Sequence, residues 1–391
     1  MKRLFSVLSI MLLSSSLFAQ TITVEEKQLV VTDNDNKTVS YNLNNLGRAV
    51  FGSADDEAKT RYLKFIRTWG ANIILPLDKV KDISYKKTTK QIAMPSTAPK
   101  VGDYYYSDGT WSDGGLISIN DDGTNPVWKE VKPAPYGGKE VIGIVAMTDP
   151  SRMAEADKAA GFTHGYVIST RFIHDPNNSS VHTGFPFTTV KFSYEAEIPL
   201  YLPGAKTAKT WYETNDGLAN CLGLLDLCGA EQLKQLVPAV YYSLVQPHPQ
   251  TSSMWFVPST GQLWDILANL CGDEAAKKLK EWRTVESDAT YTCLANLQSD
   301  PFEIFNSTLA KVADKDKELL LRDDYDYAQE YPKYQPSDNS AFCKLWTSCF
   351  YEEEAVDVFY IGTQRANGTS MFECEPAWND EDAYCRPILA F

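Results

Sequence analysis

Residues 255–272 read Trp-Phe-Val-Pro-Ser-Thr-Gly-Gln-Leu-Trp-Asp-Ile-Leu-Ala-Asn-Leu-Cys-Gly, and few local structures suit such a run. Leu263, Ile266, Leu267 and Leu270 recur at i, i+3, i+4 and i+7, which places them on one helical face. Ser259 stands where a helix N-cap belongs, with Gln262 three residues on as its capping-box partner. Gly272 follows the last apolar residue, the usual place for a helix to stop. The apolar Trp255-Phe256-Val257 before the cap reads as a short buried strand. The run therefore predicts one core strand and one core helix, and it carries no catalytic signature.

At 391 residues and 43% hydrophobic, the chain can bury a sizeable core in two or three domains. Residues 1–19 read as a secretory signal: Lys2 and Arg3, an apolar run over 4–13, then Ser14-Ser15-Ser16-Leu17-Phe18-Ala19 before a cut ahead of Gln20. The apolar run is too short to span a bilayer, and no later stretch qualifies as a membrane-spanning segment. No cysteine lies near the cut to take a lipid anchor. Without Lys2 and Arg3 the chain carries 35 basic against 51 acidic residues, a net charge of −16. A surface so acidic repels nucleic acid and anionic membranes. The expected location is extracellular, cell-surface or periplasmic.

All eight cysteines follow residue 220: Cys221, Cys228, Cys271, Cys293, Cys343, Cys349, Cys374 and Cys385. An even number in an exported chain predicts disulfides. The sequence-near pairs Cys221–Cys228 and Cys343–Cys349 are the first choices, with buried free thiols as the alternative. No C-x-x-C pair suggests zinc.

Along the chain, residues 20–52 read as a small β unit, with a turn at Asp33-Asn34-Asp35-Asn36. Tyr62, Phe65, Ile66 and Trp69 follow helical spacing, so 53–70 is expected to be a helix. Residues 85–100 read as a linker. Tyr104-Tyr105-Tyr106 begins a strand that turns at Ser107-Asp108-Gly109. Residues 141–147 and 165–170 are strands, and 151–160 is helical. Residues 171–212 form a long irregular loop, a candidate variable surface. Residues 217–228 and 232–245 are helices, with Pro238 a kink or a start. Residues 274–282 and 309–321 are exposed helices, 323–340 is another loop, and 356–361 and 384–391 are closing strands.

Several of these segments resemble, in order, a group of secreted bacterial domains with a C-type-lectin-like fold. The group is common in gut Bacteroidetes, includes fimbria-associated proteins, and is mostly uncharacterised. The resemblance rests on the Trp-Phe-x-Pro-Ser strand and the Gly261-Gln262-Leu263 that follows it. It extends to residues 102–112, Ile142-Gly143-Ile144-Val145, His164-Gly165-Tyr166-Val167-Ile168, Asp216-Gly217, Pro238-Ala239, Leu345-Trp346-Thr347-Ser348 and Arg386-Pro387-Ile388-Leu389-Ala390-Phe391. It spans roughly 96–391. It implies an α+β fold: a C-type-lectin-like domain of mixed short strands and helices over 101–391. Ahead of it come the signal (1–19), the small β unit (20–52) and a helical segment with linker (53–100).

The chemistry on offer is sparse. Of four histidines, His174 and His182 lie eight apart in a loop and are candidates for a metal or general-base role. His164 precedes a strand and reads as structural. No nucleophile elbow, phosphate loop or dinucleotide fingerprint occurs. The resembling fold includes enzymes that make formylglycine with two cysteines. Cys343 and Cys349 flank Trp346-Thr347-Ser348, but their surroundings differ from that enzyme motif, and a reactive thiol needs an electropositive setting. Glu375-Pro376-Ala377-Trp378-Asn379-Asp380 is similar to the Glu-Pro and Trp-Asn-Asp pieces with which sugar-binding C-type lectins hold calcium. Here the two pieces overlap, whereas in those lectins a separate loop and strand supply them. The resemblance implies Glu375, Asn379 and Asp380 as candidate Ca²⁺ ligands, since oxygen donors of this kind suit Ca²⁺. Trp378, Tyr104 and Tyr106 are candidate ligand-binding aromatics, against ordinary strand tyrosines whose hydroxyls need partners.

Three functional classes follow. The first is an exported non-catalytic binding or adhesion module that recognises a carbohydrate or a surface protein. The second is a structural or accessory subunit of a fimbria-like surface assembly. The third is an enzyme of unknown type. An exposed strand edge near residues 20–43 would favour the second, a shallow aromatic groove beside the loops the first, and a deep pocket with perturbed titratable groups the third.

Overall fold

The structure is a computed structural model that describes residues 21–42, 46–53, 61–67, 73–93, 95, 97–174, 185–186, 207–286, 292–293, 297–320, 340–352, 355–364, 369–378 and 382–391. The fold is α+β. Residues 1–19, read from sequence as a secretory signal, His182 and most of the 171–212 and 323–340 loops lie outside the described residues.

The first six strands are β1 (Thr21–Asp33), β2 (Thr38–Asn42), β3 (Leu46–Ser53), β4 (Arg61–Arg67), β5 (Ile73–Pro76) and β6 (Val80–Ala93). They form two antiparallel sheets, β2-β1-β6 and β3-β4-β5. Leu29, Val31, Leu63, Phe65 and Leu75 from both sheets bury together as one small core. This differs from the sequence reading in two places. Residues 61–67 form a strand, not a helix, because Leu63 and Phe65 alternate inward with period two and pair across to β3 and β5. Residues 85–93 are strand, not linker. Their Tyr, Thr and Ile suit a pleated strand, and β1 supplies the partner for their backbone along its whole length. The short β unit thus extends to residue 93.

The body continues with β7 (Tyr104–Tyr106), β8 (Trp111–Ser112), β9 (Leu116–Ser118), β10 (Val127–Trp128), β11 (Val141–Met147), α1 (Glu155–Ala159), β12 (Tyr166–Ser169) and β13 (Phe185–Pro186). Helices α2 (Ala208–Glu213), α3 (Gly217–Leu236), α4 (Pro238–Leu244), α5 (Thr260–Leu270) and α6 (Asp273–Trp282) follow. Then come β14 (Thr292–Cys293), α7 (Pro301–Thr308), β15 (Ser340–Glu352), β16 (Ala355–Gln364), β17 (Thr369–Trp378), β18 (Asp382–Ala383) and β19 (Ile388–Ala390).

Two larger sheets dominate, in the orders β19-β12-β11-β7-β8 and β14-β17-β16-β15. Helix α5 packs against β11 of the first and β15 of the second, and against α2, α6 and α7. All eleven of its residues are buried, so it is covered on every side and not on one face alone. Its cap forms as expected: Gln262 Oε1 accepts the Ser259 backbone N–H at 3.0 Å. Gly261 is required there, because a Cβ would sit 2.5 Å from the Tyr212 and Thr214 carbonyls. The expected strand before the cap is reduced to one bridge, Phe256 to Ile388. Pro238 starts α4 at a position where its missing N–H costs nothing.

Two further expectations are corrected. The helix read at 309–321 lies earlier, at α7. Asp300 accepts the Phe302 and Glu303 N–H groups and Pro301 takes the first helical position, a start signal that outweighs the charged run after it. Neither expected disulfide forms: Cys221, Cys228 and Cys349 are free thiols. Cys221 and Cys228 sit seven residues apart on α3, about 10 Å of helix rise. Cys343 and Cys349 lie six apart along β15, on the order of 20 Å in a strand. Both separations exceed the Cα spacing a disulfide spans.

Candidate functional site

A cleft of about 370 Å³ opens where the segment after β8 meets the ends of α5 and α7. Gly114, Gly115, Pro126, Trp128 and Lys132 line one side, and Asn269, Leu270, Ile304 and Ser307 the other. Strand β7 holds the first wall from below. Asp103, buried beside β7, accepts the Lys100 N–H at 2.9 Å and the Gly114 N–H at 3.0 Å. The Tyr104 hydroxyl donates to the Pro133 carbonyl at 2.9 Å. The Lys129 N–H donates to the Gly115 carbonyl at 2.8 Å, and Trp128 pairs with Leu116. Gly114 must be glycine, since a Cβ there would fall 1.7 Å from the Gly102 carbonyl oxygen. The wall is thus fixed by β7 before any ligand arrives.

The charges in this wall are unevenly matched. Lys129 pairs with Asp113. Lys132 makes no ion pair among the described residues, and its ammonium lies 5.4 Å from the Trp128 ring centroid and 5.6 Å from that of Tyr104. Burial pulls Lys132 down to about 8, against the pull of Asp103 and Asp113. Burial likewise pushes Asp103 up to about 6, outweighing its two backbone donors. An apolar cleft with displaced titratable groups is where ligands bind most often. Sequence reading missed Trp128 and Lys132. They belong to no motif, and only the folding-back of residues 113–133 on β7 brings them to α5 and α7.

The residues singled out from sequence fall elsewhere. Tyr104 and Tyr106 are fully buried, so neither ring offers a face to a sugar. Tyr104 braces the cleft from behind. Tyr106 shares a hydrogen bond with Ser112 and receives one from the Tyr136 N–H at 2.7 Å. Glu375 and Trp378 belong to strand β17, opposite Val358 and Ala355, and not to a loop. Asn379 and Asp380 lie outside the described residues. No cluster of three His, Cys, Asp or Glu side chains suited to a metal occurs among the described residues. His174 Nε2 meets both Glu318 carboxylate oxygens at 3.0 and 2.9 Å. His164 stacks on Phe391 beside Trp111. Cys349 is buried, and that burial pushes its thiol up to about 12.

A second candidate surface is the edge of β6. This fourteen-residue strand pairs on one side with β1, and among the described residues nothing pairs on its other side. Beyond Gln28 the β1–β6 ribbon runs on past β2, through Thr21 opposite Ala93. Tyr85, Lys86 and Lys87 are exposed on β6. The unit that carries this edge differs in charge from the rest. Residues 21–93 hold twelve Lys and Arg against nine Asp and Glu, a net of +3. Residues 94–391 hold 23 against 42, a net of −19.

Among the described residues no helix is long and apolar enough to cross a membrane. No family profile matches the chain, and no curated protein does. Among solved structures, the chain is similar to a crystal structure of a fimbrial protein from Bacteroides ovatus, with 13% identity and a TM-score of 0.39, over 94% of this chain and 71% of that one.

Proposed function

We propose that this chain is an exported, non-catalytic subunit of a surface assembly, docking through its N-terminal β unit onto the acidic body of a neighbouring copy. The observation that carries this reading is the open edge of β6. An unpaired edge is a ready template for strand addition. Lys81, Lys86 and Lys87, all exposed, make this edge basic, so two such edges repel each other when placed opposite. The same lysines attract a body of net −19. A basic patch on one end meeting an acidic surface elsewhere is a heterologous contact, which builds rings or filaments and not closed pairs.

Sedimentation of the full chain tests this. Association is expected at low ionic strength and is expected to fall away as salt screens the contact. The exposed double substitution Lys86→Glu, Lys87→Glu is expected to abolish it while the far-ultraviolet circular dichroism is unchanged. A chain that stays monomeric at low salt and high concentration overturns the reading.

A second reading is a binding or adhesion module that recognises a carbohydrate or a surface protein at a site other than the cleft. In that reading Glu375, Asn379 and Asp380 hold calcium. A glycan array run with calcium and again with chelator separates the cases. Binding lost in chelator and in Asp380→Ala supports calcium-dependent recognition. Binding indifferent to chelator removes calcium from it, and no binding to any glycan removes the carbohydrate.

A further inference from the structure

Lys132 is the one cation lining the cleft that lacks an anionic partner among the described residues. Lys129 is occupied by Asp113. Asp103, the nearest other carboxylate influence, spends both oxygens on the Lys100 and Gly114 amides. What faces Lys132 is aromatic: Trp128 and Tyr104. Opposite stand Leu270, Ile304 and Ala310, with no acidic side chain among the lining residues. The Ser307 and Thr308 hydroxyls donate back into their own helix, to the Ile304 and Phe305 carbonyls at 2.6 and 2.7 Å. They leave lone pairs, not donors, on that wall. Asn269 spends one of its two side-chain N–H groups on the Ala146 carbonyl at 2.9 Å. The cleft therefore offers one cation without an anionic partner among the described residues, several apolar surfaces and few further donors. A hydroxyl-rich ligand would leave most of its acceptors unmatched here, at a cost for each.

We propose that the cleft binds a small apolar carboxylate, its anionic group facing the Lys132 ammonium and its apolar body against Trp128, Leu270 and Ile304. The charge-assisted bond supplies orientation and the apolar walls supply most of the affinity. The site is braced by Asp103 and Tyr104, so little ordering accompanies binding. The proposal stands independently of the assembly reading, because the test is run in salt high enough to suppress association between copies.

The probe is phenylacetate, titrated calorimetrically into the full chain, with phenylacetamide as its neutral counterpart of the same shape. The acid is expected to bind with a Kd of about 1 mM or tighter, and the amide roughly tenfold more weakly. Lys132→Met is expected to erase the difference between the two, with the melting temperature of the chain unchanged. Equal affinity for acid and amide in the unaltered chain overturns the proposal, as does the absence of acid binding. Both of these outcomes are read on the unaltered chain, so they hold even where Lys132→Met misfolds.

Discussion

Truncation of Arg386 to alanine is expected to cost about 2–4 kcal/mol of folding stability, through the buried carbonyls it strands and the void it leaves. Arg386 is 2% exposed. Its guanidinium donates to the Ser169 carbonyl at 3.2 Å and to the Glu318 carbonyl at 2.6 Å. The group also lies 4.1 Å from the Phe172 ring centroid and 5.5 Å from that of Phe305. It thereby ties the chain end to the end of β12, to the segment at 318 and to α7. Burial pulls its pKa down to about 10, so it stays charged at neutral pH. Alanine would strand two carbonyls and leave a void between two aromatic rings, and both losses add. Urea unfolding should show a lower midpoint with an unchanged slope. Arg386→Lys keeps the charge but not the fork that spans two carbonyls, and should fall between the two. A loss below about 1 kcal/mol would contradict this account, since burial of that kind is not neutral to truncate.

Arg386 also shows where sequence reading ends. It was legible as part of a six-residue segment resembling other secreted chains, yet nothing in that segment told that its side chain points inward. The same holds for the ordered segments as a set: Tyr104–Tyr106, Val141–Met147, Tyr166–Ser169 and Ile388–Ala390 are four of the five strands of one sheet. Each was readable as a strand because its apolar run is short and flanked by turns. Helix α5 was readable because period, cap and stop agree. The errors came where two patterns compete. Tyr62, Phe65 and Ile66 fit helical spacing, while Leu63 and Phe65 fit alternation, and only cross-strand partners decide. The disulfide expectation rested on export and an even count, and neither carries distance information. The cleft was illegible for a plainer reason: Lys132 meets Leu270 and Ile304 across 138 and 172 residues of chain, by virtue of tertiary packing alone.

The second large effect concerns pH. Asp357 is fully buried on β16, and neither carboxyl oxygen has a hydrogen-bond partner of normal geometry in the protein. Burial raises its pKa well above the ordinary value, while the Trp211 indole favours the ionised form. The folded chain therefore holds this proton more tightly than the unfolded chain. Its contribution is fully present below the ordinary carboxyl range, near pH 4, and is lost as pH rises through the folded value, by up to about 1.4 kcal/mol per pH unit. Asp103, Asp157 and Asp265, each raised to about 6 by burial, act with the same sign between about pH 4 and 6. Glu318 acts oppositely. Against its burial, the hydrogen bonds from His174 and the Phe172 N–H and the charge of Arg171 hold it at about 2. Its contribution is present above the ordinary carboxyl range and lost as pH falls toward 2. The two carboxyl windows do not overlap. Burial lowers the pKa of His248, so that group loses stability as pH falls below 6.5, but one histidine stands against four raised carboxyls, and the chain is expected to be most stable in mild acid and to weaken toward neutrality. Asp357→Asn keeps an acceptor oxygen for the Trp211 indole and removes the ionisable group. It should match the parent near pH 4 and exceed it at pH 7, the gap widening across that interval in urea melts. A parent curve flat from pH 4 to 7, or an asparagine variant weaker than the parent at pH 7, would show that Asp357 is not an unpaired buried acid.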